Sequence, residues 1–173
     1  MVPMKLRCGM TSPLGDLLLV ANASGDALCG VYVVQQKYFP TAAAQWQLAP
    51  RLPLFRKATA QLRDYFAGAR TTFDLSLAPE GTAFQQDVWS KIRAVPFGET
   101  ITYAELARRC GRPRAIRAAG AATGRNPLMI VVPCHRIMGS GGALTGYAGG
   151  LDRKRALLEL ESRDLVGAAR YVA

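Results

Sequence analysis

The stretch Val131-Val132-Pro133-Cys134-His135-Arg136 decides how the rest of this sequence is interpreted. The apolar residues 128–132 predict a buried strand or extended segment, which Pro133 ends. Cys134 then stands where an interior segment meets a turn, beside His135, the single histidine of a 173-residue chain. A thiol is a good nucleophile once it loses its proton, and an adjacent imidazole can accept that proton or stabilise the thiolate. On adjacency alone, a buried cysteine beside a surface histidine is the more frequent explanation of such a pair.

The residues on both sides of this pair make a chemical role the better interpretation. Asn126-Pro127 precedes the apolar run, and Gly146-Tyr147-Ala148-Gly149-Gly150 follows the pair at a short distance. Together with Pro133-Cys134-His135-Arg136, these segments resemble the O6-alkylguanine-DNA alkyltransferases. In that family a cysteine takes an alkyl group from damaged guanine onto itself. The resemblance is close over residues 81–161 and looser over residues 1–80.

Composition and charge restrict the class of protein. Half of the residues are apolar, which is enough for a buried core, and the net charge is +10, from 22 basic and 12 acidic residues. A basic excess attracts polyanions such as nucleic acid, although charge alone is equally compatible with a basic enzyme that has no such partner. No apolar run approaches the roughly 20 residues of a membrane span, and residues 1–7 lack a signal-peptide core. We therefore expect a cytoplasmic protein with no membrane partner.

The cysteines do not predict a metal site. Besides Cys134 the chain has Cys8, Cys29 and Cys110, none of them in a CxxC pair, and a single histidine cannot complete a zinc site with them. Some alkyltransferases carry a structural zinc in the N-terminal part, but this sequence lacks the histidines for it. We expect no metal and no cofactor, and the other three thiols are expected to pack as small apolar groups.

The first 80 residues predict a small α/β domain with a structural role. The expected strands cover residues 4–10, 16–22, 28–34 and 71–77, and the expected helix covers residues 54–66 and is closed by Gly68. Residues 35–51 are ambiguous and suggest a loop with a short helix. The boundary falls near Ala78-Pro79-Glu80-Gly81, so that residues 1–80 form the N-terminal domain and residues 81–173 the DNA-binding and alkyltransferase domain. The resemblance implies a ribonuclease H-like first domain.

Residues 81–125 predict a helix-turn-helix. Thr82 with Gln85, and Thr102 with Glu105, match capping boxes at the starts of two helices. Gly111 closes the second of these helices, and Pro113 suits the first turn of the next one, expected from residue 114 to about residue 123. Two short helices joined by a tight turn form the motif, and the resemblance implies that this second domain is winged-helix-like.

The second helix of this motif consists mostly of alanine and glycine, with Arg114 and Arg117 at helical spacing. A slim helix can approach a partner closely, and the minor groove of B-DNA is only about 6 Å wide. Small residues equally allow tight packing against the protein's own core. The pattern alone does not decide between these two interpretations.

For DNA binding, the resemblance implies a role for five residues. The alanine-rich helix lies in the minor groove, the damaged nucleotide rotates out of the duplex, and Arg117 fills the space that it leaves, with Arg114 as a further DNA contact. Tyr103 lies at the base pocket, where it steers the backbone phosphate and donates a proton toward the guanine ring. Tyr147 forms an apolar wall of the pocket, and the backbone amide of Ala148 reaches the base.

For the chemistry, the resemblance implies that Cys134 is the nucleophile and alkyl acceptor. His135 acts as its base through a bridging water, and a glutamate of the C-terminal helix orients the imidazole. Glu161 stands at the matching position, with Glu159 as the nearby competitor. Asn126 ties the recognition helix to the active-site segment. Two further residues are expected to have structural roles. Arg136 is expected to form a salt bridge, and Asp152 to cap the C-terminal helix.

The function implied is DNA repair by a methylated-DNA–protein-cysteine S-methyltransferase. Each molecule acts once, because a thioether has no easy leaving route. The partner is double-stranded DNA containing O6-alkylguanine, with O4-alkylthymine as an open alternative substrate. We expect a monomer and leave cooperative binding along DNA open. Three rival classes are a lesion-binding module without a nucleophile, a winged-helix transcription regulator, and a cysteine hydrolase.

Overall fold

The computed structural model describes the backbone of residues 3–172 and the side chains of residues 3–162. The chain forms two compact units. The first comprises the chain up to Glu80 together with Pro127–Val131, and the second comprises Gly81–Asn126 and the chain from Val132 onward. The apolar residues ahead of the Cys-His pair therefore belong largely to the first unit.

The first unit is built on a four-stranded sheet. Its strands are β1 (Leu6–Met10), β2 (Leu17–Ala21), β3 (Leu28–Val33) and β4 (Gln47–Leu48), in the order β3-β2-β1-β4. The first three are antiparallel neighbours, and β4 runs parallel to β1. β2 is buried along its whole length, as its run of leucine and valine predicts. A short 3₁₀ turn, Ala43–Gln45, precedes β4 in the segment that the sequence leaves ambiguous.

Helix α1 (Pro53–Phe66) completes this unit and buries Phe55, Ala58, Leu62 and Tyr65. The strand predicted at residues 71–77 is wrong, because only Leu77 forms a bridge, to Leu28. Gln61 explains the difference: its side chain accepts from the Asp74 amide at 2.9 Å and donates to the Asp74 carbonyl at 3.0 Å. A buried amide thus satisfies the backbone groups that a neighbouring strand would otherwise bond.

The apolar residues 128–132 form a buried turn, so the expected strand or extended segment is wrong here as well. Leu128 makes one bridge to Val31, and the Val131 amide donates to the Met129 carbonyl at 2.9 Å. Ile130 lies between them with a φ of 74°. A left-handed conformation costs a β-branched residue about 1–2 kcal/mol, and full burial of the side chain offsets that cost. Periodicity shows that such a run is buried but not that it turns.

The second unit is mostly helical. Its helices are α2 (Ala83–Arg93), α3 (Tyr103–Arg109), α4 (Ile116–Gly124) and α5 (Leu151–Val172). The short strands β5 (Ile101–Thr102) and β6 (Ile137–Met138) pair in parallel. Thr82 and Gln85 form both bonds of the predicted capping box. Thr102 forms only half of one, because the Glu105 carboxylate bonds Arg108 and Arg109 instead.

The helix-turn-helix is present, but its second helix starts later than predicted. Gly111 has a φ of 69° after α3, and the Ala115 amide donates to the Arg112 carbonyl at 2.9 Å. Pro113 therefore occupies the second position of a β-turn, where its fixed φ is equally suitable, and Arg114 lies outside α4. Asp152 also differs from expectation: α5 begins at Leu151, so this carboxylate lies inside the first turn and does not cap it.

Candidate functional site

The segment Cys134–Arg136 forms one buried 3₁₀ turn immediately before β6. The Cys134 amide donates to the Val132 carbonyl at 2.8 Å, and the Arg136 amide donates to the Pro133 carbonyl at 2.9 Å. Cys134 is 5 % exposed as a residue, and His135 is fully enclosed. The histidine is therefore not the surface residue that adjacency alone suggests.

Asn126 joins the end of α4 to this segment. Its amide donates to the Thr123 carbonyl at 3.2 Å, and its Nδ2 donates to the Val132 carbonyl at 2.8 Å. The same side chain hydrogen-bonds the Cys134 thiol, an interaction that acts to lower the pKa of that thiol. The backbone of Asn126 thus bonds the end of α4 while its side chain bonds the cysteine segment, which is the placement expected of this residue.

A buried carboxylate, Glu161, holds both basic residues that follow the cysteine. Its Oε1 lies 2.7 Å from His135 Nε2, and Arg136 donates to both carboxylate oxygens at 2.8 and 2.9 Å. Burial acts to raise the pKa of Glu161, but the hydrogen bonds from His135 and Arg136 outweigh it and lower the pKa to about 2. Glu159, the competing glutamate, is exposed on the same helix.

The ionised carboxylate fixes which imidazole nitrogen can act as a base. A carboxylate only accepts hydrogen bonds, so Nε2 of His135 carries the proton that it shares with Glu161. Burial lowers the pKa of His135 more than Glu161 raises it, so the imidazole is neutral. Nδ1 is then the basic nitrogen, and it has no hydrogen-bond partner within the described part of the chain. The arrangement leaves one imidazole lone pair unused on the residue that directly follows Cys134.

The thiol itself is neutral in this structure. Burial raises the pKa of Cys134, and the Asn126 side chain, the Lys154 ammonium and the amides of Cys134 and His135 oppose that rise only in part. The histidine neighbour alone therefore does not produce a resting thiolate. The segment thus carries a protonated thiol followed by a neutral imidazole, and attack by such a sulfur would require a group that accepts its proton.

Lys154 interacts electrostatically with Cys134, although no motif in the sequence points to it. Its ammonium is buried and donates to the carbonyls of Ile137, Thr145 and Gly146 at 2.6, 2.7 and 3.2 Å. Burial lowers the pKa of Lys154 to about 8, against a smaller opposing effect of Cys134. A signal was available, because positions 154, 157 and 161 share one helical face, and Leu157 marks that face as buried.

Tyr103, at the start of α3, brings three parts of the second unit together. Its hydroxyl donates to the carbonyls of Thr145 and Gly146, at 3.3 and 3.4 Å. Its ring faces α4, where a Cβ added to Gly120 would lie 3.7 Å from the ring. Burial raises the pKa of Tyr103, and the nearby Cys134 raises it further. The tyrosine therefore connects the glycine-rich loop, the alanine-rich helix and the surroundings of the thiol.

The small residues of α4 lie on two faces, one packed against the protein's own core and one open to a partner. Ala119, Ala122 and Thr123 are buried, and Trp89 Nε1 donates to the Ala122 carbonyl at 2.8 Å. The inner face thus packs against the protein's own core. On the outer face Arg117, Ala118 and Ala121 are exposed, so this side also presents little bulk. Arg114 is exposed in the turn before the helix, and Tyr147 and Ala148 are half-buried in the glycine-rich loop.

No group of three or more histidine, cysteine, aspartate or glutamate side chains is arranged to hold a metal ion in the part of the chain that the structure describes. Among the same residues, no helix combines the length and the apolar composition needed to cross a bilayer.

Comparison with known proteins agrees with this arrangement. The family model described as "6-O-methylguanine DNA methyltransferase, ribonuclease-like domain" matches residues 8–79, and the one described as "6-O-methylguanine DNA methyltransferase, DNA binding domain" matches residues 83–163. A methylated-DNA–protein-cysteine methyltransferase of Methanosarcina barkeri is 47% identical over 154 residues, which are 89% of this chain and 95% of that protein.

Solved structures give the same result. The O6-methylguanine methyltransferase of Mycobacterium tuberculosis superposes with a TM-score of 0.85 at 45% identity, covering 93% of this chain and 94% of that one. The OGT protein of the same organism, solved in complex with DNA, superposes with a TM-score of 0.84 at 44% identity over 92% of this chain and 94% of that one. This chain therefore belongs to the 6-O-methylguanine DNA methyltransferase family.

Proposed function

We propose that this protein repairs DNA by transferring a methyl or larger alkyl group from the O6 of guanine to the sulfur of Cys134. The observation that carries the proposal is the buried Glu161–His135 pair, which leaves Nδ1 as the basic nitrogen of the residue that directly follows Cys134. Family membership, and the names of relatives that act on methylated DNA, support the same reaction. Each molecule reacts once, because the thioether formed is stable.

The reaction is an in-line displacement at the alkyl carbon. The Cys134 thiol passes its proton toward His135 Nδ1, and Glu161 stabilises the imidazolium that forms. The sulfur forms a bond to the carbon while the bond from that carbon to O6 breaks. The electron pair of the broken bond goes to the guanine, whose developing negative charge is met by a proton from Tyr103. No cofactor takes part in these steps.

On the DNA side, the outer face of α4 enters the minor groove of the duplex, and the protein binds as a monomer. The exposed Ala118 and Ala121 permit a close approach, and Arg117 on the same face fills the space left by the rotated nucleotide. A sulfur cannot reach an O6 substituent inside a stacked duplex, and unstacking costs a few kcal/mol. Arg114 contacts the DNA from the preceding turn.

The glycine-rich loop forms the base pocket. Tyr103 and Lys154 both bond the carbonyls of Thr145 and Gly146, which fixes the start of this loop near the cysteine. Tyr147 supplies an apolar wall, and the backbone amide of Ala148 is a donor for the everted guanine. O4-alkylthymine is the alternative substrate for the same pocket.

The test is transfer of a labelled methyl group from O6-methylguanine in duplex DNA, followed by mass spectrometry of the peptides. We expect one added methyl on the Cys134 peptide and none in the Cys134→Ser variant. Label on Cys8, Cys29 or Cys110 would refute the assignment. Release of the label with many turnovers would favour a hydrolase, and binding of damaged DNA without any transfer would leave a lesion-binding module.

The role of α4 is tested with Arg117→Ala. We expect a large loss of transfer from duplex DNA and little loss of reaction with free O6-benzylguanine, because only the duplex requires eversion of the base. Arg63→Ala removes the same charge from an exposed position of α1 and serves as the control. Equal losses with both substrates would mean that Arg117 supports the fold and not the DNA.

A further inference from the structure

Lys154 is buried without the partner that a buried cation normally has. All three of its hydrogen bonds are to backbone carbonyls, and none of its bonds within the described residues is to a carboxylate. Removing an ammonium from water costs several kcal/mol, and neutral carbonyl dipoles compensate for this less well than an anion does. An apolar side chain would fill the same space without that cost. The position therefore favours a function over fold stability.

The contacts of Lys154 join the cysteine segment to the base loop. Ile137 directly follows the Cys134–Arg136 turn, whereas Thr145 and Gly146 begin the glycine-rich loop. One ammonium holds both backbones within 3.2 Å of a single atom. The Tyr103 hydroxyl bonds the same two loop carbonyls, so the loop has two anchors, of which only Lys154 is charged.

The ionisable groups that face this ammonium belong to the reaction. Cys134 and Lys154 interact electrostatically, and the Tyr103 ring centroid lies 5.8 Å from Nζ. The charge of Lys154 lowers the pKa of Cys134 and also lowers the pKa of His135. A cation here therefore favours the thiolate and disfavours an imidazolium that persists after proton transfer.

We infer that Lys154 is a positioning residue for alkyl transfer, which fixes the base loop on the cysteine segment and stabilises the Cys134 thiolate as it forms. The inference rests on the proposed function for its biological meaning. Its two parts are separable, because the hydrogen bonds hold the loop whereas the charge acts on the sulfur.

The first experiment measures the rate at which iodoacetamide alkylates Cys134 as a function of pH in wild type and Lys154→Gln. Glutamine keeps hydrogen-bond donors and removes the charge, so we expect the profile to move to higher pH by about one unit. Arg155→Gln removes an equal charge from an exposed position one residue along α5 and should leave the profile unchanged. A Lys154→Gln profile that coincides with that of wild type would overturn the inference.

A second experiment needs no substitution at Lys154 and covers the case in which Lys154→Gln does not fold. The pKa of Lys154 is followed by NMR of lysine labelled with ¹³C, and a midpoint of about 8 is expected. In Cys134→Asp, which places a carboxylate at the position of the sulfur, the midpoint should rise, because an anion there favours the ammonium. An unchanged midpoint would contradict the inference. Neither experiment uses DNA, so both can succeed even if methyl transfer from DNA fails.

Discussion

Among the described residues, only the second unit buries acidic and basic side chains. In the described part of the first unit, the buried polar side chains are Gln36 and Gln61, two neutral amides that bond backbone groups of the same unit. The second unit buries the neutral Thr123 and Asn126 and, in addition, four acidic or basic side chains, namely His135, Arg136, Lys154 and Glu161. Burial of a hydrogen-bonded neutral amide has a small desolvation free energy, whereas burial of a charge has a large one. The difference indicates which unit carries the chemistry.

The largest expected effect is that of Glu161→Gln. It leaves the Arg136 guanidinium buried without an anion, so the free energy of unfolding should fall by about 3–5 kcal/mol. It also removes the group that orients His135, and the rate of methyl transfer should fall about 100-fold or more. Urea unfolding and single-turnover kinetics measure the two effects. Glu159→Gln, at an exposed position, should change neither the free energy of unfolding nor the transfer rate. A comparable loss in this variant would contradict the special role of the buried charges.

Acid should weaken the protein through the same cluster. The folded pKa of Glu161 is about 2 against an ordinary value of 4.5, so its contribution is complete above about pH 4.5 and is lost as the pH falls toward 2. The expected loss is about 3 kcal/mol. The lowered pKa of His135 acts in the same direction below pH 6.5, because unfolding allows the imidazole to take up a proton. Between pH 7 and pH 3, the free energy of unfolding should therefore fall more steeply with falling pH in wild type than in Glu161→Gln.

A matched pair of amides gives a sharper contrast between the units. Asn126→Ala and Gln61→Ala each remove a buried side-chain amide that bonds backbone, and each should cost about 1–3 kcal/mol of stability. Only Asn126→Ala should also slow the alkylation of Cys134, because only Asn126 contacts the thiol. Stability is measured by thermal unfolding and reactivity by the rate with O6-benzylguanine. Slower alkylation in Gln61→Ala would show that the first unit is more than a scaffold.

The smallest expected effect is that of Thr82→Ala. It removes the cap of α2 and should cost about 1 kcal/mol of unfolding free energy. Because α2 contributes no buried charge, the pH dependence of Cys134 alkylation should not change. A shift in that profile would show that the position of α2 influences the thiol through the Trp89–Ala122 hydrogen bond.

Much of the fold follows from local patterns. The predicted order of a small N-terminal α/β domain and a C-terminal helix-turn-helix domain is confirmed by the family match. The first three strands, α1 and the Thr82 cap follow from alternation, helical spacing and end signals. The errors have one physical origin: at Asp74, Ile130 and Pro113, a side chain or a turn satisfies backbone groups that the pattern assigns to a strand or a helix. Local sequence does not contain those partners.

The sequence predicts the site residues that belong to a recognisable motif, but not the others. The spacing from Cys134 favours Glu161 over Glu159, and the structure places Glu161 on His135. The chemical roles of the site residues remain predictions. Lys154 was missed because a lysine in an amphipathic helix is normally solvated, and its carbonyl partners come from segments 8, 9 and 17 positions away. A mostly non-local contact set of this kind is visible only in three dimensions.

The burial of the Cys134 sulfur also bears on how long an unreacted molecule lasts. Peroxides and stray electrophiles consume cysteines mainly as thiolates and mainly where they are accessible. A protonated sulfur in a residue that is 5 % exposed is a poor target for both. Each molecule can react only once. The burial that makes its cysteine less reactive at rest therefore also preserves the unreacted molecules until they meet damaged DNA.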